Sequence, residues 1–153
     1  MSVKLDVPTV AQTSNNTCWH ASASMVWLYS QSVTGRQGPM NTLANKWGND
    51  QGASPSDFIS LAQKAGMKSV WPRPAVYDSN NLEQLLRKYG PLWCAGRWYG
   101  PKHIIVLTGV NGNIVYLNDP ANGGKKVNVI SWFNDKLDNH VDGCIMYKDP
   151  MAY

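Results

Sequence analysis

The stretch HIIVLTGVNGNIVYLND, residues 103–119, decides the fold. Two apolar, β-branched runs, His103 to Val110 and Ile114 to Asn118, flank Asn111-Gly112-Asn113, a combination that favours a tight turn with positive φ. The reading is an antiparallel hairpin whose second strand is closed by Asp119 and stopped by Pro120. On the side-chain alternation, His103, Ile105 and Leu107 share one face. The hairpin folds Asp119 back towards His103, and Asn118 points to the opposite face.

Further strand signals surround the hairpin. Leu92 to Trp98 precedes it, Lys125 to Ile130 follows, Ser131 opens a short helix, and Cys144 to Tyr147 reads as a last strand. The first half carries helical periodicity instead. Thr17 is placed to cap a helix from Cys18 to Ser30, whose apolar residues cover nearly its whole circumference and predict deep burial. Gly35 to Pro39 reads as a loop and Thr42 to Trp47 as a short helix. Ser54-Pro55-Ser56-Asp57 starts a helix ending at Gly66, and Ser79 caps another from Asn80 to Tyr89, ended by Gly90-Pro91. Val7-Pro8-Thr9-Val10 reads as an ordered entry strand. Helices first and an antiparallel sheet second is an α+β pattern, and 153 residues make one domain, residues 1–153.

Composition narrows the function classes. Hydrophobic residues at 43% exclude a disordered chain. The +4 net charge is spread without a basic run longer than Lys125-Lys126, which argues against a nucleic-acid partner. No stretch approaches the roughly 20 apolar residues of a membrane helix, so no membrane partner is expected. The start, MSVKLDVPTVAQ, lacks the apolar core of a Sec signal. Cys18, Cys94 and Cys144 are odd in number and widely spaced, which excludes a disulfide framework or a zinc pattern; no cofactor or metal is expected. Cys94 and Cys144 read as buried inert thiols, able to pair if their strands are adjacent.

Cys18 stands apart because it opens the buried helix, directly after the polar run Thr13-Ser14-Asn15-Asn16-Thr17. A helix N-terminus carries partial positive charge and favours a thiolate, the nucleophilic form. Gln12 lies six residues earlier, and its amide beside the Cys18 backbone N–H would make a two-donor oxyanion hole. His103, at the mouth of its strand, is the candidate base, oriented by Asp119 or alternatively by Asn118. His20 falls about 200° round the helix from Cys18 and His140 sits in a loop, so neither is expected to act.

Gln12 to Ala21, QTSNNTCWHA, with its Gln-x5-Cys-Trp spacing, and the sixteen residues from His103 to Asp119 resemble the papain-like cysteine peptidases. The likeness is to the small bacterial branch containing avirulence proteases, double-glycine peptidases and interbacterial effectors. It implies a papain-like fold, a thiol endopeptidase with the triad Cys18, His103 and Asp119, and Gln12 in the oxyanion hole. Three features depart from the family pattern. Asn15-Asn16-Thr17 stand where Gly and Cys often precede the nucleophile, Asp119 stands where papain has Asn, and Pro120 replaces the Trp that would shield it.

The expected partner is a protein or peptide substrate, in a groove lined by a Trp such as Trp98 or Trp71. Two other functions remain open: an amidase acting on peptidoglycan stem peptides through the same triad, and a non-enzymatic binding module. Papain relatives usually carry a long inhibitory pro-segment, and only 17 residues precede Cys18. The expectation is therefore a bacterial effector or toxin, made in the cytoplasm without a Sec signal and delivered to a target cell. It would either be part of a larger delivered protein or be covered at its active site by a cognate inhibitor or immunity protein.

Overall fold

Among the described residues, seven strands form one antiparallel sheet, and β-branched and aromatic residues fill its central members. The computed structural model describes residues 2–14, 16–36 and 55–152. In chain order the elements are β1 (Ser2–Lys4), α1 (Cys18–Thr34), a 3₁₀ turn (Pro55–Asp57) leading into α2 (Phe58–Lys64), and β2 (Met67–Ser69). Then follow α3 (Ser79–Tyr89), β3 (Leu92–Gly96), β4 (His103–Asn111), β5 (Ile114–Asp119), β6 (Gly124–Val129), α4 (Ile130–Lys136) and β7 (Ile145–Lys148). The sheet order is β2-β7-β3-β4-β5-β6, with β1 also paired to β4. This is the α+β arrangement expected, with the helix of Cys18 packed on the sheet.

The long hairpin forms as its sequence dictates. Gly112 takes φ +59°, and β4 and β5 pair from Asn111↔Ile114 down to Val106↔Asn118, with one irregularity between Leu107 and Gly109. β1 pairs with Gly109 to Asn111, residues that β5 already holds on their other edge, so β1 continues the row begun by β3. Gly109 permits this approach: a Cβ there would lie 2.6 Å from the Val3 carbonyl oxygen.

Alternation along β3 and β4 divides the core in two. Ile104, Val106, Trp93 and Ala95 pack against α1 and α2, with Trp19, Met25, Trp27 and Phe58. Ile105, Leu107, Leu92 and Cys94 pack against α3 and α4, with Leu82, Leu86 and Phe133. Burying an aromatic of this size stabilises by about 1.5–3 kcal/mol. Two indole N–H groups are satisfied by backbone carbonyls, Trp93 donating to the Trp19 carbonyl at 3.1 Å and Trp27 to the Ala65 carbonyl at 3.0 Å, while Nε1 of Trp19 is buried without a partner.

Several element boundaries differ from the sequence reading. α1 runs a turn further, to Thr34, because Gly35 supplies the left-handed residue that ends it. Asp78, not Ser79, caps α3, closing a capping box with Asn81. Val7 to Val10 form no strand; the N-terminal strand is β1, and both it and β2 are three residues long, too short to show alternation. The Cys144 strand begins one residue later, at Ile145. The helix expected over Thr42 to Trp47 and the cap at Ser54 lie outside the described residues.

Candidate active site

Cys18 is the first residue of α1, and the chain before it explains what its helix end offers. Thr17 does not cap the helix with its side chain. Its hydroxyl turns back into the loop, accepting from the Thr13 and Ser14 N–H groups at 3.1 and 3.0 Å and donating to the Ser14 carbonyl at 3.1 Å. The first N–H groups of α1 therefore receive no cap from the Thr17 side chain. α1 is held on β4 by the Ser22 hydroxyl, 3.5 Å from the Ile104 carbonyl. The backbone of Ile104 also approaches the Cys18 thiol, so the sulfur lies against the residue that follows His103.

Cys18 is only 1% exposed. Burial pushes its thiol up to about 11; the backbone of Ile104, Trp19 and Cys18 itself pulls the other way, and the charge of Asp119 adds to the rise. The helix end alone predicted a depressed value. Desolvation of the sulfur outweighs it, and the resting thiol is neutral at neutral pH.

His103 and Asp119 meet as the hairpin predicts. Nε2 of His103 lies 2.7 Å from Oδ1 of Asp119, with the two side chains 14% and 2% exposed. With Nε2–H donating to the carboxylate, Nδ1 is the basic nitrogen of a neutral ring. Oδ1 of Asp119 also accepts the Ala121 N–H at 2.9 Å, and Oδ2 accepts Nζ of Lys126 at 2.7 Å. Burial would raise the Asp119 carboxyl, but the hydrogen bonds from His103, Lys126 and Ala121 outweigh it and hold the group well below the usual carboxylate range. Asn118 is committed elsewhere: its amide donates to the Val7 carbonyl at 3.1 Å on the opposite side of β5. Asp119, not Asn118, is the partner of His103.

Gln12 reaches the same place through its backbone. Its N–H donates to the Pro120 carbonyl at 2.7 Å, which ties the loop before α1 to the end of β5. Its side-chain Nε2 donates to the Ser14 carbonyl at 2.9 Å, and Oε1 is buried without a partner. One N–H of the amide is thus used within the loop and the second remains.

A cleft of about 680 Å³ opens beside these groups, lined by Gln12, Asn16, Phe58, Tyr99, Lys102, His103, Asp119 and Lys126 among others. The structure thus brings Gln12, His103 and Asp119 to one cleft; Cys18 is buried and is not part of its lining. A groove of similar size between α1, α3 and β7 has neither cysteine nor histidine in its lining. The Trp residues expected to line the cleft do not: Trp98 is buried, its N–H bonded to the Cys94 carbonyl, and Trp71 is 71% exposed against Arg73. Tyr99, the neighbour of Trp98, takes that place. His20 is half-buried edge-on to Trp19 with Nε2 unpartnered, and His140 is exposed. Cys94 and Cys144 are buried free thiols on adjoining chain segments, where Ala95 donates to the Cys144 carbonyl at 2.8 Å. Sequence reasoning missed Lys126. The signal was present in the β5–β6 register, where Lys126 pairs with Leu117 and so faces the same side as Asp119.

Comparison with known proteins identifies relatives. The sequence model of the family described as "Papain-like cysteine protease AvrRpt2" matches residues 1–138. Among solved structures, the chain is similar to a double glycine motif protease from an AMS/PCAT transporter in complex with the leader peptide. The two are 22% identical, with a TM-score of 0.59 over 94% of this chain and 91% of that one. It is also similar to a putative C39-like peptidase from Bacillus anthracis, 16% identical, with a TM-score of 0.58 over 96% and 97% of the respective chains. At these identities the likeness establishes the fold. No curated protein matches the chain.

Proposed function

The chain belongs to the AvrRpt2 family of papain-like cysteine proteases, and from that membership we propose that Cys18, His103 and Asp119 are its catalytic triad. The observation that carries the assignment is the 2.7 Å contact between His103 and a buried, fully bonded carboxylate, one residue from the backbone that touches the Cys18 thiol. Because that thiol is neutral at rest, Nδ1 of His103 takes its proton as Sγ attacks the peptide carbonyl. The imidazolium so formed is stabilised by Asp119 through Nε2. The carbonyl oxygen becomes an oxyanion held by the Cys18 N–H and the Gln12 amide. His103 returns the proton to the leaving amine as the C–N bond breaks, leaving a thioester on Cys18. Water, deprotonated by His103, then cleaves the thioester and restores the thiol.

The substrate in this reading is an extended protein or peptide segment lying in the cleft lined by Gln12, Tyr99 and Lys126. One structural neighbour is a protease held in complex with a leader peptide, which supports a peptide occupant. The wider role is that of an effector delivered to a target cell. Its inhibitor would be acidic to complement the +4 charge of the chain.

The deciding experiment exposes a proteome-derived peptide library and purified muropeptides separately to the wild type and to Cys18→Ala. The expected result is new peptide termini with the wild type alone and intact muropeptides throughout. Retention of a tenth of wild-type turnover by Cys18→Ala would end the nucleophile assignment. Cleavage confined to muropeptides would transfer the triad to an amidase.

A further inference from the structure

Asp119 has a second charged partner that the triad chemistry does not call for. Lys126 of β6 reaches its Oδ2 at 2.7 Å, and its ammonium lies 4.3 Å from the centroid of the Tyr99 ring, above the connection between β3 and β4. The register fixes this placement, since Lys126 stands opposite Leu117, two residues from Asp119 on the same face. The neighbouring Lys125 points the other way, with Nζ 3.4 Å from the Val7 carbonyl and 3.8 Å from Asp6.

We propose that Lys126 is a positioning residue for the triad, locking the Asp119 carboxylate through Oδ2 so that Oδ1 stays on Nε2 of His103, and balancing its charge. This rests on the triad reading above. A carboxylate held only at Oδ1 can rotate about its last side-chain bond; the ammonium on Oδ2 and the Ala121 N–H on Oδ1 together prevent that. The charge has a second effect. His103 faces a carboxylate already paired with a cation, so the imidazolium is not held so tightly that it fails to return its proton to the leaving amine. The other titratable groups around this cluster are the Cys18 thiol, the Tyr99 phenol and Lys102, which is itself paired with Asp138 at 3.5 Å. Lys126 and Tyr99 also stand in for the absent Trp after Asp119, bridging the carboxylate to an aromatic face.

The test measures kcat and KM against pH for the fastest-cleaved peptide of the proteome-derived library, with wild type, Lys126→Met, Lys126→Arg and the control Lys125→Met. Lys126→Met should lower kcat roughly tenfold with little change in KM. Removing one cation beside the Cys18–His103 pair should move both limbs of its kcat/KM profile to higher pH by roughly half a unit. Lys126→Arg should restore the limbs, and Lys125→Met, with the same change in net charge, should leave them unmoved. On an Asp119→Asn background, Lys126→Met should add less than a twofold further loss, because its effect passes through Asp119. Unmoved limbs in Lys126→Met, with or without lost activity, would overturn the proposal. Should that variant lack a native melting transition, Lys126→Gln, which keeps a donor and removes the charge, decides by the same criterion. If Cys18→Ala cleaves the peptide as well as wild type, the triad reading itself has failed, an outcome distinct from any of these.

Discussion

Replacing Asp119 with Asn tests the centre of the site with almost no change in volume. The carboxylate accepts three donors: His103 Nε2 at 2.7 Å and the Ala121 N–H at 2.9 Å on Oδ1, and Lys126 Nζ at 2.7 Å on Oδ2. An amide offers one acceptor and one donor. With its oxygen kept towards His103, its NH₂ confronts the Lys126 ammonium. Flipped, the NH₂ confronts Nε2 and the Ala121 N–H, and His103 must adopt the tautomer with Nδ1 protonated, which cannot take the Cys18 proton. Hydrogen bonds to a charged group contribute about 1.5–3 kcal/mol each. Lys126 is 32% exposed and can turn into water, so its share is small, whereas His103 is 14% exposed and cannot. The expected loss of stability at neutral pH is therefore about 2–4 kcal/mol, and the expected loss of kcat is roughly 10²–10⁴-fold. The pH dependence has a definite sign. Asp119 titrates in the folded chain below its ordinary range, so the unfolded chain binds the proton first as pH falls. Its contribution is present above about pH 4 and fades on acidification through the depressed value. Urea unfolding followed by Trp fluorescence at pH 7 and pH 3 should show the gap between wild type and Asp119→Asn narrowing at the lower pH. A gap under about 0.5 kcal/mol at pH 7, with turnover within threefold of wild type, would refute the account of Asp119 as a buried carboxylate that orients His103.

Gln12→Ala should lower kcat roughly 10–1000-fold with little effect on KM if the amide supplies one oxyanion donor; peptide-library kinetics check this, and an unchanged kcat would remove Gln12 from the site. Alkaline stability should fall, because burial lifts the thiols of Cys18 and Cys144 from 9.0 to about 11. The folded chain keeps protons that the unfolded chain releases, so urea midpoints should drop from about pH 9 to 11, and less steeply in Cys144→Ala. Gly109→Ala should destabilise by about 1–3 kcal/mol, since its Cβ would press on the Val3 carbonyl and on Lys4 of β1; a calorimetric melting point equal to wild type would show that β1 does not need this approach.

Local features carried much of the fold. The turn at Gly112 between β-branched runs is a local preference of that sequence, and period-2 alternation then set which side of β4 faces which helix layer. The same alternation put Asp119 within reach of His103 and sent Asn118 to the Val7 carbonyl, so the orienting pair was legible before any tertiary contact was known. The start of α1 at Cys18 was equally legible from the polar run before it. What stayed hidden depends on neighbours distant in sequence. β1 and β2 are three residues long and exist because β4 and β7 offer them free edges, which no local periodicity encodes. Thr17 looks like a cap in sequence, yet its hydroxyl serves the loop, because Thr13 and Ser14 fold back over it. The protonation state of Cys18 was decided by burial: a helix end lowers a thiol locally, but packing of α1 against β4 removes the water that would solvate the thiolate, and that larger effect wins. The sequence assigned Lys126 no role beyond its place in a short basic pair, and only the β5–β6 register turned its charge onto Asp119.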